Sequence, residues 1–200
     1  MRLFLASGNP HKALELQAMA DARAGSVEVV SAATVGGMPH VDEDTGTFVG
    51  NARKKALALR SRLPANAWAL ADDSGLCVTE LGGLPGVDSA YYAGPQGDAA
   101  ANLAKLVEAM RGVPAERRSA EFVCVLHLAG PEGLETAFTG RCAGRLAPEP
   151  RGAGGFGYDP LFIPDGFDVT LAEMDPGQKN ALSHRGRAWA ACVDWLAARR

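Results

Sequence analysis

The chain has 200 residues, room for one domain with a real core or for two small lobes. Hydrophobic residues make up 47% and charged residues 22%, the balance of an ordinary globular protein. A formal net charge of −3 at pH 7 denies the chain the broad basic surface that sequence-independent binding to long nucleic acid requires, and leaves open a small anion held by a few local cations. The four cysteines, Cys77, Cys124, Cys142 and Cys192, form no C-x-x-C pair and have no His at zinc-site spacing, so they read as core thiols. No apolar run approaches the length of a membrane span, and the N-terminal stretch is too short for a signal peptide. The expectation is a soluble cytoplasmic protein with no membrane partner.

Leu3-Phe4-Leu5-Ala6 is predicted as a first strand. Asn9 then caps a helix with Pro10 at its first position. His11 and Lys12 fall in that helix's first turn, where the macrodipole disfavours positive charge by roughly 0.3–1 kcal/mol. Free backbone N–H groups point outward there, and with Lys12 they make a phosphate-sized anion site. Val27 to Val30 is a second strand. Thr47 caps a second helix through about Leu63, with Phe48, Ala52, Ala56 and Leu59 or Leu63 inward. Strand, helix, strand, helix suggests α/β architecture. Of Arg53, Lys54 and Lys55, one cation is expected to reach the acidic loop Asp42-Glu43-Asp44 or a ligand, and the others to be solvated.

Trp68-Ala69-Leu70-Ala71 reads as a buried strand ending abruptly in Asp72-Asp73-Ser74-Gly75. Two carboxylates at the end of a buried strand are costly unless something uses them. Strand alternation sends them to opposite faces, so one serves a site, taken as Asp73, while Asp72 supports it. The plain alternative is a turn, since Asp, Ser and Gly all favour turns. Val78 to Leu81 either continues this strand or forms its hairpin partner. Asp98 caps a helix through Met110. Ala120 to Ala129 and Leu134 to Leu146 are two further strands.

Gly152 to Asp159 is glycine-dense and carries Phe156, Tyr158 and Asp159. It is either a turn with both aromatics in the core, or a platform for a flat ring with Asp159 as an acceptor. Asp175-Pro176-Gly177 is a turn. Ser183 caps the last helix, which places His184 and Arg185 in a first turn, again against the dipole. Two helix starts bearing basic residues suggest two electron-rich parts of one ligand. Arg199 and Arg200 suit a helix C-terminus and need no ligand. Acids able to hold a hard cation (Asp73, with Asp72 and Glu43 as further candidates), cations (Lys12, Lys55, Lys179, Arg185) and an aromatic beside an acceptor fit a nucleoside triphosphate with Mg²⁺.

These stretches resemble the inosine/xanthosine triphosphate pyrophosphatases. The residues that carry the resemblance are Ser7-Gly8-Asn9-Pro10-His11-Lys12, Thr47-Phe48 with Asn51-Ala52, Ala71 to Gly75, Gly82-Gly83-Leu84-Pro85-Gly86, Gly154 to Asp159, and Lys179-Asn180-Ala181 with Ser183 to Gly186. The resemblance implies an elongated mixed sheet with flanking helices, two lobes of a single domain spanning 1–200 around a nucleotide-binding cleft, and a homodimer. It implies Mg²⁺-dependent hydrolysis of ITP, dITP and XTP to the monophosphate and pyrophosphate. It makes Asp73 the proton acceptor and a metal ligand, and Glu43 a second metal ligand. Ser7, Gly8, Asn9, Pro10, His11, Lys12 and Lys55 would hold the triphosphate. Ser74, Phe156, Gly157, Tyr158, Asp159, Lys179, His184 and Arg185 would bind the rest of the substrate, the later ones near the base. Two positions depart from the family: Gly50 stands where it commonly has Glu, and Tyr91 where it commonly has Arg. The rivals are a related enzyme acting on modified pyrimidine nucleotides and a nucleotide-binding module without catalysis.

Overall fold

The computed structural model describes residues 1–23 and 27–199. Its elements in chain order are β1 (Arg2–Ala6), α1 (Pro10–Ala22), β2 (Glu28–Ser31), α2 (Phe48–Arg60), β3 (Trp68–Val78), α3 (Ala99–Ala109), β4 (Ser119–Ala129), β5 (Glu135–Leu146), β6 (Phe162–Pro164), α4 (Pro176–Leu182) and α5 (His184–Ala197). Short 3₁₀ turns join several of them. The strands form one six-stranded sheet in the order β2-β1-β3-β4-β5-β6. β1 pairs in parallel with both β2 and β3, while β5 and β6 are antiparallel, so the sheet is mixed. No described helix is long and apolar enough to cross a membrane.

The parallel part follows from local sequence. Asn9 Oδ1 accepts from His11 N at 2.9 Å and Pro10 opens α1, which carries the chain back for a parallel return. α2 starts at Thr47, whose hydroxyl accepts from Gly50 N at 3.1 Å, and returns the chain to the other side of β1. β1 is therefore flanked by strands reached through crossovers in opposite directions. Sites in open α/β sheets gather beyond the carboxyl ends of strands at such a switch point.

The chain divides into two compact units. The first comprises Met1–Asp73, Cys124–Gly140 and Arg185–Arg200, and the second Ser74–Val123 and Arg141–His184. Within the first unit, Leu3, Leu5 and Leu70 pack with Leu16 and Met19 of α1 and Trp189 and Cys192 of α5. Ala6, Ala69 and Ala71 pack with Ala56 and Leu59 of α2, small residues that let the helix approach the sheet closely. The second unit has its own core, including Leu76, Leu106, Met110, Phe122, Leu161 and Phe162.

Several expectations need correction. β3 does not end at the acids: it runs through Asp72-Asp73-Ser74-Gly75 to Val78, so the turn reading is wrong. The acids stay in the strand because buried cations from elsewhere in the chain neutralise them, as described below. Asp175 is not part of a plain turn but caps α4, with Oδ1 accepting from Gly177 N at 2.8 Å. α2 ends at Arg60 rather than near Leu63, and α5 at Ala197, before Arg199. Arg199 packs its guanidinium over the Trp195 ring, and Arg200 lies outside the described residues.

Candidate active site

The first unit holds a dense charge network at the switch point. Ala6 of β1 lies opposite Ala71 of β3, so the Ser7–Lys12 turn follows directly beside Asp72. Strand alternation sends the two acids to opposite faces, as the sequence predicts. Asp72, fully buried, points among α1 and α5 residues. Its Oδ1 takes Lys12 Nζ at 2.6 Å, and its Oδ2 takes Arg185 Nε at 2.7 Å and the Cys124 thiol at 3.4 Å. Arg185 also gives Nη1 to Glu15 Oε2 at 2.6 Å. Two cations thus meet two anions. Burial works to raise the Asp72 carboxyl, but Arg185 and Lys12 outweigh it and hold Asp72 well below the usual carboxylate range. Burial and the Asp72 charge raise the Cys124 thiol well above its usual range, so it is an inert donor to Asp72.

This explains the basic residues at the two helix starts. Lys12 and Arg185 both turn onto Asp72, so the dipole penalty is set against charge-assisted hydrogen bonds rather than left for a ligand alone. Arg185 is only 2% exposed. Ser7 Oγ accepts from Asn9 N at 3.1 Å, which fixes the turn before α1, and Gly8, Pro10 and His11 lie on the surface of that turn.

Asp73 points to the α2 face. Its Oδ1 takes Lys55 Nζ at 2.6 Å, and the same ammonium reaches Glu43 Oε2 at 2.9 Å. Asp73 Oδ2 is buried with no hydrogen-bond partner among the described residues. Burial pushes the Asp73 carboxyl up to about 7, against the pull of Lys55, and the Glu43 carboxyl adds to the rise. Glu43 itself is lowered, because Lys55 more than offsets its burial. The neighbouring Lys54 and Arg53 face solvent, as expected, and each pairs with an acid at the surface, Lys54 with Asp44 at 2.6 Å and Arg53 with Glu135 at 2.7 Å. Among the described residues no group of three or more His, Cys, Asp or Glu converges as a metal cage. An orphaned carboxylate oxygen on Asp73, with Glu43 sharing its lysine, fits instead a hard cation bound through one or two carboxylates and completed by water and substrate oxygens.

The second unit gathers another set. Asp159 Oδ2 takes Lys179 Nζ at 2.7 Å and Phe156 N at 2.7 Å. Gly155 sits at φ +69° with its Cα side only 2.2 Å, by an added Cβ, from Asp159 Oδ2, so only glycine admits this contact. Lys179 Nζ lies 5.2 Å from the centre of the half-buried Phe156 ring. Gly157 turns the chain at φ +62°, and Tyr158 goes into the core, its hydroxyl donating to Ser89 O at 2.8 Å. The core reading of this stretch therefore holds for Tyr158, which is buried, and not for Phe156, which is half-buried. His184 is buried, with its ring stacked on Phe122 at 4.6 Å between centroids. Ser74 is half-buried in β3.

Sequence reasoning did not single out Glu15, Cys124 or Phe122. Glu15 had a signal: it lies three residues after Lys12, on the same helix face. Cys124 and Phe122 had none, because nothing local marks a core residue that faces a polar partner.

The chain matches the model of the Ham1 family over residues 3–195. It is 58% identical over 199 residues to a dITP/XTP pyrophosphatase of Opitutus terrae, covering 98% of each chain. It superposes on the Staphylococcus aureus Ham1 protein with a TM-score of 0.85 at 32% identity, over 100% of both chains. A HAM1 protein from Coxiella burnetii gives 0.84 at 36% identity, over 99% of both.

Proposed function

This chain belongs to the Ham1 family, and from that premise we propose that it is a nucleoside triphosphate pyrophosphatase that clears ITP, dITP and XTP from the nucleotide pool, releasing the monophosphate and pyrophosphate. A relative sharing 58% of its residues bears the name dITP/XTP pyrophosphatase. The observation that carries the chemistry is the orphaned Asp73 Oδ2, on a carboxyl poised at about 7 and held by Lys55 beside Glu43. A general base works best when its pKa lies near the working pH.

Asp73 and Glu43 are the residues that would hold Mg²⁺, which when bound would neutralise phosphate charge and assist departure of pyrophosphate. Asp73 accepts the proton of the attacking water. Lys55 keeps Asp73 and Glu43 together and adds positive charge on the phosphate side. The Ser7, Gly8, Asn9, Pro10, His11 and Lys12 turn would hold the triphosphate with the positive end of the α1 dipole and the Lys12 ammonium. Asp72 works as support: clamped by Lys12 and Arg185, it fixes β3 and hence its neighbour Asp73.

In the second unit, Phe156 offers a flat apolar face, and Lys179 sits over it as a donor. A 6-keto purine presents an acceptor where adenine presents an amino donor, so a lysine donor favours hypoxanthine and xanthine over adenine. Gly157, Tyr158 and Asp159 shape that surface, with Ser74 and His184 as further substrate-binding residues of this unit; Arg185, in the first unit, serves the substrate through its clamp on Asp72. We read residues 1–200 as one catalytic domain with two lobes, because β3, β4 and β5 each pass from one unit into the other. The enzyme works as a cytoplasmic homodimer, without long nucleic acid or membrane partners.

The test is pyrophosphate release with Mg²⁺ from ITP, dITP and XTP against ATP, GTP, dTTP and UTP. Preference for the first three supports the reading. Turnover mainly of pyrimidine nucleotides would overturn the base assignment, and nucleotide binding without release would overturn the enzyme.

A further inference from the structure

An α-helix start leaves backbone N–H groups without partners, and the common remedy pairs an N-cap hydroxyl with a Glu or Gln side chain at N3 that reaches back to the N-cap N–H. α2 has only half of this. Thr47 is its N-cap, but the N3 residue is Gly50, which has no side chain. The missing acceptor comes from Thr45. Its hydroxyl oxygen lies 3.4 Å from Thr47 N and takes that N–H. It donates its own proton to Asn51 Oδ1 at 2.7 Å, and Thr45 N donates to the same oxygen at 3.2 Å. Asn51 is only 1% exposed, so this anchor is tied to the interior of the unit.

The substitution is exclusive in space. A Cβ built on Gly50 would stand 2.3 Å from Thr45 Oγ1, 2.7 Å from Thr45 Cβ and 2.8 Å from the Thr47 hydroxyl. Either an N3 side chain or the Thr45 hydroxyl can occupy the volume, never both. Three consecutive loop residues are tied to α2: Glu43 to Lys55, Asp44 to Lys54 and Thr45 to Asn51. The Asp44 pair is solvent-exposed and holds little. The Glu43 pair belongs to the site itself. Thr45 is therefore the uncharged anchor that sets the loop in place.

We propose that Thr45 is a positioning residue for the reaction: with Gly50 it forms a substitute cap that holds Glu43 against Lys55 and Asp73. The proposal rests on the reading of Glu43 as a metal ligand. It is tested on the full chain by titrating Mn²⁺ calorimetrically and by measuring the Mg²⁺ concentration for half-maximal pyrophosphate release. Thr45→Val, which keeps the shape and loses the hydroxyl, is expected to weaken Mn²⁺ binding and raise the Mg²⁺ requirement about fivefold, the worth of a helix cap, with a smaller effect on kcat. Thr45→Ser should behave as the wild type. Gly50→Glu alone should weaken metal binding because its side chain evicts the Thr45 hydroxyl. Wild-type metal binding in Thr45→Val, or weakened binding in Thr45→Ser, would overturn the proposal; should Gly50→Glu fail to fold, Thr45→Val and Thr45→Ser still decide it. Glu43→Gln separates the two layers: unchanged Mn²⁺ binding there would overturn the ligand reading itself.

Discussion

Replacing Arg185 with Met tests whether this guanidinium is chiefly the clamp of Asp72. The side chain is 2% exposed and holds two acids at 2.6 and 2.7 Å. Hydrogen bonds to charged groups contribute about 1.5–3 kcal/mol each, and breaking a buried ion pair from one side costs about 3–5 kcal/mol. Lys12 remains on Asp72, which keeps the loss within that range rather than above it. A domain of this size has about 5–15 kcal/mol in all, so the variant stays folded but loses a large share of its margin. With a urea slope near 2 kcal/mol per molar, the unfolding midpoint falls by about 2 M. Asp72→Asn should cost less in the Arg185→Met background than in wild type, since the pair acts as a unit. A loss under about 1 kcal/mol, or the same cost of Asp72→Asn in both backgrounds, would refute the clamp. The acid limb gives a second readout. The Asp72 carboxyl is held below its unfolded value, so its stabilisation is present above that value and is lost as pH falls through the folded one. Without Arg185 the folded carboxyl rises, so the loss should be smaller and complete at a higher pH.

Asp73 works in the opposite sense. Its carboxyl is raised from 3.8 to about 7, so the stability of the metal-free protein should decline as pH rises between those values. Mg²⁺ favours the ionised form, so the gain in melting temperature on adding it should be larger at pH 8 than at pH 5.5; an equal gain at both would count against Asp73 as a ligand. In the second unit, Lys179→Met removes the donor over Phe156 and leaves Asp159 buried without its cation. Discrimination of ITP against ATP, read as the ratio of kcat/KM values, should fall by about tenfold or more, the worth of one lost hydrogen-bonding donor. An unchanged ratio would remove Lys179 from base recognition.

Much of the fold was legible because it is written locally. Asn9 with Pro10, Thr47 and Asp98 announce α1, α2 and α3, and the short apolar runs announce β1, β3, β4 and β5. β3 was misread at its acids because the groups that let Asp72 and Asp73 stay in a strand are Lys12, Lys55 and Arg185, which are distant in sequence. α4 was hidden by Pro176 and Gly177, which look like a turn until Asp175 is seen to cap them. At the site, alternation alone separated the roles of Asp72 and Asp73. No local pattern could show that Lys55 is buried, since its cation is matched by one acid before α2 and another in β3. Gly50 was visible only as a departure; its partner Thr45 emerges from the geometry.

The reaction depends on Asp73 as the group that takes the proton from water. Pyrophosphate release from dITP by Asp73→Asn, at saturating Mg²⁺ and with folding verified by circular dichroism, measures this directly. Turnover should fall by at least about a hundredfold, the scale of general-base catalysis, while the variant stays folded. A folded Asp73→Asn protein that releases pyrophosphate at the wild-type rate would contradict the assignment of the base.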